Sequence, residues 1–151
     1  MRQRLSAASL LLAASLVVSA CDESLADLAG PTPNLQPTLS SIQREIFSTT
    51  DVSGRVGCVQ CHTDAGGRTP SGGLNLREGA SYAGLVGVPA RAKPGAVRVI
   101  PGDPLGSYLV HKLEGRADIV GQRMPRTSGP FLTDGQMLVI KRWIERGAPN
   151  D

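Results

Sequence analysis

Two thiols and an imidazole fall within five residues, Cys58-Val59-Gln60-Cys61-His62, in a chain of 151 residues that holds only three Cys and two His. On one helical turn, positions i, i+3 and i+4 lie on the same face. Two thiols so spaced can add to the two vinyl groups along one porphyrin edge, while the imidazole that follows reaches the iron. That is the spacing of covalent c-type haem attachment, one haem c held through Cys58 and Cys61 with His62 as an iron ligand. A zinc site would need a fourth ligand, usually from a second Cys or His pair, and only Cys21 and His111 remain to supply one. A thioredoxin-like dithiol also uses C-x-x-C but expects a strand–helix context, which Gly54-Arg55-Val56-Gly57 does not provide.

An electron-carrying c-type haem commonly holds Met on its second face, which raises the reduction potential. Of three Met residues, Met1 belongs to a leader and Met137 has the spacing of core packing with Ile140 and Ile144. Met124 remains, in Gly121-Gln122-Arg123-Met124-Pro125-Arg126. Pro125 keeps it out of helical geometry, so the expectation is a loop Met whose thioether covers the open haem face. Packing is the other role open to Met124. His111, in the amphipathic stretch Ser107–Leu113, is the other candidate ligand and fits a partly exposed surface position better. Arg98 and Arg126 are candidates for pairing with the haem carboxylates.

The first residues read as a targeting segment. Arg2 and Arg4 precede an uncharged run from Leu5 to Ala20 rich in Leu and Val, which is shorter than the roughly 20 residues a membrane span needs. The run ends in Val18-Ser19-Ala20-Cys21, which resembles the lipobox of bacterial lipoproteins. That resemblance implies cleavage before Cys21, lipid on its sulfur, and anchoring to a membrane surface without spanning it. The expected organisation is a signal peptide over 1–20, a lipidated flexible tether over 21–37 containing Pro31, Pro33 and Pro37, and one domain over 38–151. Asp22 follows the lipidated Cys at the position that, in enteric-type sorting, resembles an inner-membrane retention signal.

The formal charge of +3 overstates the basicity of the processed protein. Without Arg2 and Arg4, 14 basic side chains stand against 13 acidic ones. A nearly neutral chain with no basic stripe argues against nucleic-acid binding. Only five aromatic residues accompany 18 Gly and 11 Pro, a composition that makes a modest core unless a cofactor fills it.

The elements that must position these groups are helices. A capping-box pair, Ser40 and Gln43, predicts a helix over 40–48 with Ile42, Ile46 and Phe47 inward. Asp103 before Pro104 predicts a second helix running to Glu114 and stopped by Gly115. Thr133 and Gln136 predict the last, with Leu132 and Met137 as a hydrophobic staple, Ile140, Trp143 and Ile144 inward, and Gly147 and Pro149 as the stop. A shorter helix is expected over 78–85. No strand pattern of useful length occurs, so the class is mainly α with long Gly/Pro loops. Leu74 and Leu76 are placed to close one wall of a haem pocket, with Gly66-Gly67 and Gly72-Gly73 allowing close backbone approach.

With these motifs in place the chain resembles the class I-like monohaem cytochromes c, and within them is similar to planctomycete-type bacterial cytochrome c domains. The resemblance is carried by Cys58-x-x-Cys61-His62, Gly73-Leu74-Asn75-Leu76, Val99-Ile100-Pro101-Gly102-Asp103-Pro104-x-x-Ser107-Tyr108-Leu109, Arg123-Met124-Pro125 and Trp143-Ile144-x-x-Gly147-Ala148. It spans residues about 42 to 149 and implies a cytochrome c-like fold, with N- and C-terminal helices crossing where Phe47 and Trp143 meet. It also implies single-electron transfer with His62 proximal and Met124 distal, and redox proteins as partners.

The expected function is a membrane-tethered electron carrier of the bacterial cell envelope, facing the periplasm or the outer surface. No nucleophile–base pair or phosphate loop marks a stand-alone enzyme. Two alternatives stay open: an open-site haem protein that binds small gases or peroxide, and a haem-bearing anchor subunit of a larger redox complex. Near-neutral charge favours a fixed partner over a steered one.

Overall fold

The computed structural model describes residues 32, 34–126 and 129–151. The leader over 1–20, the lipobox and Cys21 lie outside them. Helices α1 (Leu39–Ile42), α2 (Ser81–Leu85), α3 (Tyr108–Glu114) and α4 (Asp134–Glu145) are joined by long loops and three 3₁₀ turns, at Cys58–Gln60, Ala65–Gly67 and Ser71–Gly73. Among the described residues there is no sheet, only isolated bridges such as Val86 with Val99. The class is mainly α. No helix among them is long and apolar enough to cross a membrane.

Helix α1 widens directly into a π-helical segment, Gln43–Phe47, covering the predicted span with a different cap. The Thr38 hydroxyl accepts the Ser41 N–H at 3.2 Å, two residues before the expected Ser40. Gln43 therefore does not face a cap but turns inward beside Ile42 and Ile46. Its amide donates to Ser48 Oγ and to the Leu76 carbonyl, both at 2.9 Å.

The second predicted helix starts one turn late. Asp103 uses its carboxylate on a turn instead, accepting the Gly106 N–H at 2.8 Å. Ser107 Oγ donates to the Asp103 carbonyl at 2.7 Å and accepts the Ile100 N–H at 2.9 Å. Helix α3 then begins at Tyr108 and ends at Gly115, which adopts the left-handed φ of 73° that glycine tolerates best.

Helix α4 forms as its sequence predicts. Gln136 N–H donates to Thr133 Oγ1 at 3.2 Å, and Thr133 N–H donates back to Gln136 Oε1 at 3.0 Å. Met137, Val139, Ile140, Trp143 and Ile144 are buried along its inner face. They join Ile42, Ile46 and Phe47 of the first helical segment, and Val110 and Leu113 of α3, in one core. The indole N–H of Trp143 donates to the Pro149 carbonyl at 2.9 Å, satisfying the one polar atom of that fully buried ring.

The packed domain begins before residue 38. Leu35, expected within the flexible tether, is fully buried in the core, and removing such a side chain from water stabilises by about 1.5–3 kcal/mol. Gln136 Nε2 reaches back to Thr32 Oγ1 at 3.1 Å. Proline-rich composition marks irregular backbone, but irregular backbone can still be packed, and here one leucine and one threonine dock it.

Candidate functional site

The motif 58–62 folds as a tight turn and not as a regular helix. Cys61 N–H and His62 N–H both donate to the Cys58 carbonyl, at 3.2 and 3.0 Å. The turn sits directly on the end of the first helical segment, because Gly57 brings the two backbones together. A Cβ added at Gly57 would lie 3.0 Å from the Ser48 carbonyl carbon and oxygen, so the approach depends on having no side chain there.

Cys58, Cys61 and His62 line one cavity of about 710 Å³ together with Leu74, Leu76 and Met124. That volume lies within the range of small-molecule and cofactor sites. Four groups singled out from sequence as possible cofactor contacts, the two thiols, the imidazole and the Met124 thioether, thus meet in one place. Leu74 and Leu76 form wall, as expected, and Ile46, Phe47, Leu85, Leu109 and Leu113 complete an apolar lining.

The loop after the motif fixes His62 by its backbone. His62 Nδ1 lies 2.9 Å from the Ser71 carbonyl, an acceptor only, so Nδ1 carries the proton and Nε2 is left with its lone pair. Ser71 N–H donates to the Cys61 carbonyl at 3.0 Å, and Leu76 N–H to the His62 carbonyl at 2.8 Å. Desolvation lowers the His62 pKa, and the hydrogen bonds to Ser71 and Leu74 act against it. Burial thus favours the neutral ring, the form a metal-ligating imidazole requires.

The thiols differ. Both are free, Cys61 exposed and Cys58 half-buried. Burial pushes the Cys58 thiol up to about 11, with the Arg55 guanidinium pulling the other way. Arg55 is buried and received no role from sequence. Its Nε donates to Asp51 Oδ2 at 3.0 Å, and Nη1 and Nη2 reach the carbonyls of Ile46 and Glu45 at 3.2 and 3.4 Å. It caps the carbonyl end of the first helical segment, against which Cys58 packs. The available signal was a spacing of four between Asp51 and Arg55, ordinary in a loop, and nothing local announces its burial.

Met124 reaches the cavity from the segment after α3, its N–H donating to the Lys112 carbonyl at 2.9 Å. Met137 lies in the core instead. His111 does not line the cavity. Its Nδ1 meets Asp118 Oδ2 at 2.8 Å and its Nε2 the Leu105 carbonyl at 2.7 Å, so both ring nitrogens are engaged elsewhere.

Charge around the cavity is one-sided. Arg55, Arg91, Arg98, Lys112 and Arg126 line it, and among the described residues no carboxylate does. Arg98 is buried and donates to the Gly84 and Gly72 carbonyls at 2.7 and 2.9 Å, which makes it a clamp between helix α2 and the Ser71–Gly73 turn, whereas Arg126 is exposed. Desolvation lowers the Arg98 pKa, and nearby Arg91 adds to the effect.

These residues fit a covalently held tetrapyrrole. The lining combines apolar side chains such as Leu74, Leu76 and Leu109 with the cationic Arg55, Arg91, Arg98, Lys112 and Arg126. A neutral imidazole and a thioether share the space, with two free thiols beside the imidazole. The same side chains do not close into a chelate: among the described residues no three or more His, Cys, Asp or Glu groups gather to hold a metal ion directly. No protein-family model, no curated protein and no solved structure matches the chain.

Proposed function

We propose that this protein is a membrane-tethered single-electron carrier of the bacterial cell envelope with one c-type haem joined to Cys58 and Cys61. In this reading His62 and Met124 hold the iron, and the cytochrome c-like arrangement includes the crossing of the terminal helices. The observation that carries it is the convergence of both thiols, the neutral imidazole and one thioether on a single apolar cavity. Bound haem would supply a one-electron iron couple.

The chain's own residues have three tasks. Ser71, through its carbonyl, orients His62 and fixes its tautomer. Leu74, Leu76 and Leu109, in the cavity lining, would keep water from a bound ring. Arg91, Lys112 and Arg126 place positive charge at the cavity, which favours the reduced form and raises the potential. With haem bound, His62 and Met124 would hold the iron in both oxidation states, which would leave little to reorganise on electron transfer. The lipid on Cys21 would hold the domain beside redox partners in or on the membrane.

The test is the optical spectrum of the protein made in a host that matures c-type cytochromes, recorded oxidised, reduced, and reduced under carbon monoxide. The expected result is a low-spin spectrum that carbon monoxide leaves unchanged in the wild type and converts in Met124→Ala. Rapid conversion of the wild type would favour an open-site haem protein, and absence of covalent haem would overturn the reading.

A further inference from the structure

The segment between Gly115 and Met124 has almost no regular structure of its own. Among the described residues, the one backbone bond made within 116–123 joins Ile119 N–H to the Arg116 carbonyl at 3.3 Å. Its position is set from outside. Val120 N–H donates to the Tyr108 hydroxyl at 2.9 Å, Arg123 Nε to the Leu113 carbonyl at 2.7 Å, and Lys93 Nζ to the Asp118 carbonyl at 2.8 Å. Each of these holds one point.

Lys112 holds three. Its ammonium donates to the Val120 carbonyl at 3.0 Å and to the Gln122 carbonyl at 2.5 Å. Its own carbonyl accepts the Met124 N–H at 2.9 Å. Residues 120, 122 and 124 are thus fastened to one residue of α3, the last of them carrying the thioether. The charge has no other evident employment, since among the described residues no ion pair includes Lys112. A half-buried ammonium without a carboxylate is costly unless hydrogen-bonded, and the two loop carbonyls offset that cost.

We propose that Lys112 is the positioning residue for Met124, an ammonium strap that keeps the thioether at the cavity and so decides whether the second axial position is closed. The inference rests on the haem reading above. A thioether is a weak ligand, and its occupancy depends on how little freedom the segment bearing it retains. Gly121, with φ of 75°, lies between the two strapped carbonyls, and without the ammonium this turn is held only by the Val120, Arg123 and Met124 bonds on either side, so Met124 gains freedom.

The test uses the full-length, haem-loaded protein and three variants, Lys112→Leu, Lys112→Arg and Met124→Ala. Covalent haem is measured by haem stain after denaturing electrophoresis. Axial ligation is read from the near-infrared thioether-to-iron band of the oxidised protein and from the rate of carbon monoxide capture by the reduced protein. Lys112→Leu keeps the apolar stem and loses the donors. It is expected to load haem, weaken the band and raise the capture rate about a hundredfold, about tenfold for each of the two charge-assisted hydrogen bonds lost. Lys112→Arg retains donors and is expected to stay within about twofold of wild type.

A fully loaded Lys112→Leu with the wild-type band and wild-type exclusion of carbon monoxide overturns the proposal. So does equal loss in Lys112→Arg and Lys112→Leu. If Lys112→Leu fails to load, Lys112→Met, which likewise lacks donors, is measured in its place, and an unchanged band there is again a refutation. If the wild type itself captures carbon monoxide as fast as Met124→Ala does, Met124 is not a ligand, and the strap falls with the reading beneath it; that outcome is identified without any Lys112 variant.

Discussion

Replacing Arg55 by Leu removes one half of a buried ion pair, and the structure gives the size of the effect. The side chains of Arg55 and Asp51 are only 1% and 3% exposed. Loss of the guanidinium leaves the Asp51 carboxylate buried with only the hydroxyl and backbone donors of Ser53 and the Arg55 backbone N–H. It also leaves the Ile46 and Glu45 carbonyls at the end of the first helical segment without the guanidinium donors. Breaking one partner of a buried pair costs about 3–5 kcal/mol, which for a domain of this size lowers Tm by about 10–20 °C. The assay is far-UV ellipticity of the haem-loaded protein on heating, with Asp51→Asn/Arg55→Leu as the control. Neutralising the stranded carboxylate should recover about half of the loss. A fall below about 3 °C for Arg55→Leu, or no recovery in the double variant, would refute the assignment of this pair as a structural element. The effect is also pH-dependent. Burial acts to raise the Asp51 pKa, but the Ser53 hydroxyl and the Arg55 guanidinium outweigh it and hold the carboxyl below 3.8. A depressed folded-state value means the stabilisation is complete above about pH 4 and disappears as pH falls through the folded-state value, so wild type and Arg55→Leu should converge in strong acid.

Gly57→Ala and Gly84→Ala should each destabilise by about 1–3 kcal/mol in urea unfolding. Their new Cβ atoms would meet the Ser48 carbonyl at 3.0 Å and the Asn75 carbonyl oxygen at 2.7 Å, backbone atoms that cannot rotate away. Thr133→Ala should cost about 0.5–2 kcal/mol through loss of the α4 cap, with helicity reduced at the start of α4 by amide exchange. The Asp118 carboxyl, held down to about 2 by hydrogen bonds from Lys93 and His111, should titrate there by carboxyl carbon NMR. Its contribution to stability is complete above about pH 4 and is lost as pH falls through about 2; Lys93→Ala should move the midpoint upward, and an unmoved midpoint would discount that pairing.

Local chemistry was legible in the sequence wherever it is decided within a few residues. The α4 capping box, the stop at Gly115 and the turn that presents Cys58, Cys61 and His62 all depend on neighbours no more than five positions apart. Leu74 and Leu76 were expected to close one wall of a pocket, and they line the cavity; Met124, expected as an iron ligand, lines the same cavity. The failures share a cause of the opposite kind. Asp103 and Ser40 look like caps because they can accept N–H groups, but Asp103 spends its carboxylate on the Gly106 N–H in a turn that delays the helix to Tyr108, and Thr38 takes the Ser41 N–H. Leu35 looked like tether because three prolines surround it, and only contact with the distant α4 core reveals it as packed. Arg55 and Lys112 were missed because their work is to hold carbonyls, and a carbonyl has no sequence signature.

The loop over 71–76 acts on His62 entirely through main-chain atoms: a carbonyl to the ring, and two N–H groups to the carbonyls of Cys61 and His62. Such a loop is defined by its length more than by its letters. Most side-chain replacements at Ser71 or Asn75 leave the imidazole where it is, provided the backbone path is kept. One inserted or deleted residue between 62 and 76 shifts every one of those bonds by a register and releases the ring. In a library of variants this stretch should therefore accept substitution at Ser71 and Asn75 while rejecting insertion almost completely, the reverse of what an exposed loop ordinarily allows.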